Sequence, residues 1–139
     1  MRQGRTIILV LVLAAVVILS SLLGGSAWAE TIISRQQAAQ DVVVRDVRVE
    51  DGAVSGVVVN NTGHEIQNVK LLVRYDWLWA NEFSPGQDSP GRAIVHTIEE
   101  GIPPRGQVPF TYHPESPLPQ RSDGRFQTSV VVLGYTQFR

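Results

Sequence analysis

The stretch Ile66-Gln67-Asn68-Val69-Lys70-Leu71-Leu72-Val73-Arg74-Tyr75-Asp76-Trp77-Leu78-Trp79 decides the fold class. Val69, Leu71, Val73, Tyr75, Trp77 and Trp79 share one phase of a two-residue period, and Lys70, Leu72, Arg74, Asp76 and Leu78 share the other. Successive side chains of a strand point to opposite faces, so the pattern predicts a strand with the first set against a core.

Working outward, the same alternation recurs on both sides between turn residues. Upstream, residues 42–50 place Val43, Val47 and Val49 in one phase and Asp46, Arg48 and Glu50 in the other. Asp51-Gly52 then supplies the two positive-φ positions of a tight hairpin turn, and residues 54–60 return as a second strand. Gly56 within it marks a bulge or the close approach of another backbone. Asn60-Asn61-Thr62-Gly63 forms the next turn, before the deciding strand.

Downstream, residues 80–91 form a long connection broken by Pro85-Gly86 and Pro90-Gly91. Strands follow at 92–98 and 107–113, the latter with Val108, Phe110 and Tyr112 in phase and Pro109 implying a sheet edge or a backbone position whose N–H side faces solvent. A second long loop, 114–124, is stiffened by Pro114, Pro117 and Pro119. The last strand, 125–138, carries Phe126, Val130 and Val132 in one phase and Val131, Leu133 and Tyr135 in the other. Apolar residues on both faces imply a central strand or a bulge that switches phase midway. Six or seven antiparallel strands with no helical period between them predict an all-β, immunoglobulin-like antiparallel β-sandwich.

The run Val54-Ser55-Gly56-Val57-Val58-Val59-Asn60-Asn61-Thr62-Gly63, then Ile66-Gln67-Asn68-Val69 and Leu72-Val73-Arg74-Tyr75-Asp76, resembles the bacterial FxLYD-type domain. Ile102-Pro103-Pro104-Arg105-Gly106-Gln107-Val108-Pro109-Phe110 resembles that family's last element, a turn before a V-x-F strand. Leu72 and Arg74 stand where the family has phenylalanine and leucine. The resemblance spans about residues 42–112 and implies an immunoglobulin-like sandwich on envelope proteins, with no catalytic residues to carry over.

The first 29 residues are of another kind, since 19 of them are apolar. Arg2 and Arg5 precede an uncharged stretch over residues 6–23, then Gly24, Gly25 and Ser26, then Ala27-Trp28-Ala29-Glu30. Basic start, apolar middle and an A-x-A site make residues 1–29 a signal peptide cut between Ala29 and Glu30. The alternative is an uncleaved inner-membrane anchor, a hydrophobic helix whose ~18 residues would reach about 27 Å. Both readings put everything after Glu30 outside the cytoplasm, in the periplasm or secreted. Residues 30–41 read as a linker or a short frayed helix, and residues 42–139 as the sandwich.

With Arg2 and Arg5 set aside, 10 basic residues face 13 acidic ones. No basic footprint for nucleic acid results. The absence of cysteine excludes disulfides, thiol nucleophiles and zinc ribbons. His64-Glu65 begins like a zinc-protease helix, but Asn68 stands where the second histidine belongs and the segment enters a strand. His96 and His113 are expected to face outward as lone surface histidines. Asp76, Glu82 and Asp88 lack the alternating acidic pattern of a calcium loop. No cofactor or metal is expected. Asn60-Asn61-Thr62 fits an N-glycosylation sequon within a hairpin turn, and Pro114-Glu115-Ser116-Pro117 fits a PxxP segment within a rigid loop.

The aromatic group Tyr75, Trp77, Trp79 and Phe83 is the candidate site. Trp77 shares the core-facing phase, whereas Trp79 lies past the end of the core and Phe83 lies in the long loop. Large rings at the end of a sheet anchor partner proteins or stack on sugars. The expected function is therefore a non-enzymatic envelope module that binds an envelope protein partner. The alternative is a glycan-binding module using Trp79 and Phe83 on a polysaccharide. A small hydrolase is a third reading, for which no activated nucleophile or metal set is visible.

Overall fold

The computed structural model describes residues 31–137. The signal peptide or anchor over 1–29, its core 6–23, the cleavage residues Ala27, Ala29 and Glu30, and Phe138 all lie outside the described residues. The described chain runs β1 (Thr31–Ile32), α1 (Arg35–Asp41), β2 (Val42–Glu50), β3 (Ala53–Asn60), β4 (Ile66–Trp79), β5 (Arg92–Ile98), β6 (Gln107–Tyr112) and β7 (Gly124–Gln137). Two antiparallel sheets result, one ordered β1-β7-β4-β5 and the other β2-β3-β6. The all-β sandwich expected from the alternation is present. Among the described residues no helix is long and apolar enough to cross a membrane.

β4 is the spine. Ile66, Val69, Leu71, Val73 and Tyr75 are fully buried, and Trp77 is 8% exposed. They pack against Val54, Val58, Val108 and Phe110 of the facing sheet. Fully burying one such aliphatic side chain contributes about 1.5–3 kcal/mol. Between Ile66 and Val69 the phase changes by one residue, because Asn68 takes φ 51° in a bulge. A compensating extra residue, Leu133, sits on β7 between the pairs Lys70–Gly134 and Leu71–Val132. Val132 and Tyr135 are consequently both buried. β7 lies between β1 and β4, so both explanations of its two-phase pattern hold at once.

The β2–β3 hairpin turns at Asp51 (φ 49°) and Gly52 (φ 84°), the left-handed pair that the Asp-Gly step supplies. A bulge at Asp46 (φ 53°) lies between the pairs Arg45–Val57 and Arg48–Ser55. Val42 and Val44 therefore face the core before it, and Val49, opposite buried Val54, turns to the same face after it. Val47 and Val49 stay 43% and 45% exposed because β2 is an edge strand. Gly56, opposite this bulge, has no room for a side chain: a Cβ would lie 2.9 Å from the Arg45 carbonyl oxygen.

Of the linker and the short helix read over 30–41, the helix is present as α1, and the segment is built into the fold from Thr31 onward. β1 pairs with the end of β7, and α1 packs along β7 with Ala38 fully buried. Ser34 caps α1 by accepting from the Gln37 N–H at 3.3 Å. The Tyr135 hydroxyl donates to Asp41 Oδ2 at 2.7 Å and fastens the last turn of α1 to the sheet. A second tyrosine ties the two sheets together, as Tyr75 donates to the Gly52 carbonyl at 2.6 Å.

Both tyrosines have raised pKa values. Burial is the main cause for each, with Tyr112 reinforcing and Arg92 opposing it at Tyr75, and the Asp41 hydrogen bond and charge reinforcing it at Tyr135. The folded state therefore keeps these protons at pH values where the unfolded chain has lost them. Stability is complete below the unfolded value of about 10 and declines as pH rises above it. Urea midpoints measured from pH 7 to 11 should fall only above pH 10. Tyr135→Phe should flatten that fall while costing about 1.5–3 kcal/mol at neutral pH.

Asn60 is the one fully buried polar side chain of the described core. Its Nδ2 donates to the carbonyls of His64 (2.8 Å), Ile102 (3.1 Å) and Pro103 (3.0 Å). Its Oδ1 accepts from the Thr62 N–H (2.9 Å) and hydroxyl (2.7 Å). One amide thus binds its own turn to the turn between β5 and β6, where Ile102 pairs with Ile66. In the folded chain this nitrogen is enclosed, so the sequon at Asn60 presents no acceptor for a glycan.

Candidate functional site

The aromatic group lies where β4 ends beside β7 and the two long loops. The register pairs Trp77 with Phe126 and Trp79 with Gly124. Trp77 meets Phe126 edge-on with centroids 4.8 Å apart, and Trp79 meets Trp77 edge-on at 6.1 Å. Gly124 is required beneath them. A Cβ there would stand 2.4 Å from the Leu78 carbonyl oxygen and 2.5 Å from Trp77 Cε2. The Trp77 indole N–H is buried and has no acceptor among the described residues.

Arg121, from the proline-rich loop, lies over both indoles with its guanidinium carbon 5.4 Å from each ring centroid. It is held there by a two-pronged pair with Asp123 and by donating to the Asp88 carbonyl at 2.7 Å. That hydrogen bond to Arg121, helped by its charge, holds the Asp123 carboxyl below the usual carboxylate range. Arg121 therefore joins the 114–123 loop to the 80–91 loop. Gly86 closes the other side of Trp79, since a Cβ on it would lie 2.7 Å from Trp79 Cη2.

Trp79 is consequently half-buried as a clamp between loops. Phe83 is the reverse, 99% exposed at the tip of the 80–91 loop. Its own N–H is anchored on Asn81 Oδ1 at 3.1 Å. Of the four aromatic candidates, Tyr75 and Trp77 are core, Trp79 holds the loops and Phe83 faces solvent. A cleft of about 430 Å³ opens beside Trp77, walled by that ring with Phe126, Leu118, Arg121, Arg125 and Asp51. Its lining combines apolar surface with charges of both signs, which suits recognition of a mixed polar and apolar group.

The other candidates are dispersed. Asp76 pairs with Arg74 at 2.8 Å. Among the described residues no three histidine or acidic side chains are grouped to hold a metal, so Asp76, Glu82 and Asp88 do not converge. His64 is exposed, and its carbonyl accepts from Asn60. The outward placement expected for His96 is wrong. Its register partner is buried Leu71, and its ring sits 5.7 Å from Tyr112 and 6.4 Å from Phe110 at the open side of the sandwich. The signal was present in Ile94-x-His96-x-Ile98, whose even positions form the inward phase.

The sequence offers Gly86 only as part of the Pro85-Gly86 breaker and does not single out Arg121 or Gly124, since nothing local links residue 121 to residue 79. Comparisons with protein-family models, with curated proteins and with solved structures gave no match.

Proposed function

We propose that this chain is a non-enzymatic, exported module of immunoglobulin-like topology that binds a protein partner of the bacterial cell envelope through the 80–91 loop. The carrying observation is Phe83, a fully exposed phenylalanine on a loop whose base is clamped by Trp79, Gly86 and Arg121. An ordered loop that presents a bare aromatic ring loses little conformational entropy when the ring is buried by a partner. The apolar, arginine-led start of the sequence supports export, through a cleaved signal peptide or an inner-membrane anchor. The strand order and the FxLYD-type resemblance support the immunoglobulin-like topology.

The glycan reading has less support, because Trp79 is spent on the clamp and Phe83 stands alone. A hydrolase would need a nucleophile beside a base, and the polar groups around the cleft, Asp51, Arg121, Asp123 and Arg125, supply charge instead.

A photoreactive residue at position 83 of the full chain, activated in cells, tests the proposal. A discrete protein adduct at 83, lost from an exposed control position such as Gly63, is the expected result. Adducts to polysaccharide alone, or none at all, would overturn it. Phe83→Ala should change folding stability by less than about 0.5 kcal/mol, because the ring touches nothing in the fold.

A further inference from the structure

A sheet edge offers unpaired N–H and C=O groups, and proteins protect their edges with charge, proline, bulges or covering segments. Three of the four boundaries here carry such devices. β2 has the Asp46 bulge and the exposed charges Arg45, Arg48 and Glu50. β6 has Pro109 at its centre. On the far side of the four-stranded sheet the edge strand β1 is only two residues long, and α1 and β2 cover β7 beyond it. β5 has none. From Ala93 to Ile98 it is Ala-Ile-Val-His-Thr-Ile, without lysine, proline, acidic residue or bulge, and it pairs only with β4 among the described residues.

The outer face of this edge carries one apolar row, set between the exposed pairs Lys70–Thr97 and Arg74–Ala93. Val95 is 53% exposed and lies in register with Leu72, which lies in register with Val131. The three make one row across the sheet that runs off its open side. The charges near β5 are also arranged for one particular neighbour. Arg92 opens the strand, while Glu99 and Glu100 follow its end. A parallel copy would set acid against acid. An antiparallel copy centred on Val95 sets Arg92, whose guanidinium also donates to the Ser116 hydroxyl and carbonyl, opposite Ile98 of the second copy and diagonal to Glu100 of the second copy, at both ends.

We propose that β5 is a self-pairing edge: two copies of this chain join β5 to β5 antiparallel about Val95, forming one continuous eight-stranded sheet. The row Val131–Leu72–Val95 then continues unbroken into its symmetry mate. This pairing uses a surface separate from Phe83, so its test is independent of the partner-binding proposal.

The absence of native cysteine makes the register directly measurable. Residues directly opposite across an antiparallel pair have Cα atoms about 4.5–5.5 Å apart, inside the range a disulfide spans. In the purified full chain under mild oxidation, Val95→Cys should give a disulfide dimer about tenfold more abundantly than Ala93→Cys or Thr97→Cys alone. Position 93 faces position 97 of the second copy, so mixing Ala93→Cys with Thr97→Cys chains should restore the yield. Val95→Lys, read by sedimentation, should shift the untreated protein toward monomer with an unchanged circular dichroism spectrum. Equal yields at 93, 95 and 97, or no dimer from a folded Val95→Cys chain, would overturn the proposal.

Discussion

Asn60→Ala is expected to destabilise the domain by about 3–5 kcal/mol, among the largest single-residue effects this fold allows. Alanine removes the donor shared by the His64, Ile102 and Pro103 carbonyls and the acceptor of the Thr62 N–H and hydroxyl. The cavity left behind is small. The dominant cost is the loss of five hydrogen bonds at once, about 0.5–1.5 kcal/mol each, while the three carbonyls keep their second donors, the Ile66 N–H, the Gly106 N–H and the Thr62 hydroxyl. Since a domain of this size is stable by only about 5–15 kcal/mol, the thermal midpoint should fall by more than about 10 °C.

Asn60→Asp separates the amide's two roles. It keeps an acceptor for Thr62 but turns a carboxylate toward three carbonyl oxygens. Its folded-state pKa should therefore be raised, and the variant should regain stability as pH falls and lose it as pH rises through that value. Asn61→Ala is the control, with an expected change within about 0.5 kcal/mol. Urea unfolding of the three variants checks the set, and an Asn60→Ala midpoint equal to that of Asn61→Ala would contradict it.

Gly124→Ala carries the second large effect, about 2–4 kcal/mol, from overpacking. One of the two overlapped atoms is the Leu78 carbonyl oxygen, which belongs to the β4 ladder and has no rotamer to change. The other is the Trp77 ring, hemmed in by Phe126 and Trp79. Displacing it should also alter the near-ultraviolet dichroism of the indoles and loosen Arg121. Gly63→Ala, where a Cβ would meet nothing within 4 Å, should be close to neutral. A Gly124→Ala protein with native unfolding midpoint and native indole signals would show that the rings above it are mobile.

Much of the sandwich was legible because alternation is a local property of the chain. The strand bounds over 42–50, 66–79 and 92–98 follow directly from it, as does the Asp51-Gly52 turn. What alternation hides is the single-residue slip. Asp46 and Asn68 occupy the left-handed region as bulge residues, and neither differs in kind from other polar residues of an exposed face. The helix at Arg35–Asp41 was legible only as an alternative to a linker, because its burial amounts to one alanine, too little for a periodic signal.

The site was legible only in part. Trp77 sits in a phase that places it inward, and the long 80–91 loop advertises Phe83. The state of Trp79 depends on Gly86, Arg121 and Gly124, which reach it through loop closure across as many as 45 residues. No pattern within β4 encodes that. His96 differs again: the inward phase was visible in its isoleucine neighbours, but a lone histidine carries a strong expectation of solvent.

The pairing of Thr31 with Gln137, and of Gln137 with Ile66, gives the molecule a polarity. The described chain enters and leaves at one pole, while β4 carries the sequence across its 14 residues to Trp79 at the other. At about 3.4 Å per residue that separates the entry point from the Phe83 loop by roughly 45 Å. Whatever precedes Thr31, its attachment falls on the pole remote from Phe83. The loop therefore lies at the end of the sandwich remote from any tether that precedes Thr31, and a fusion on that side leaves it unobstructed.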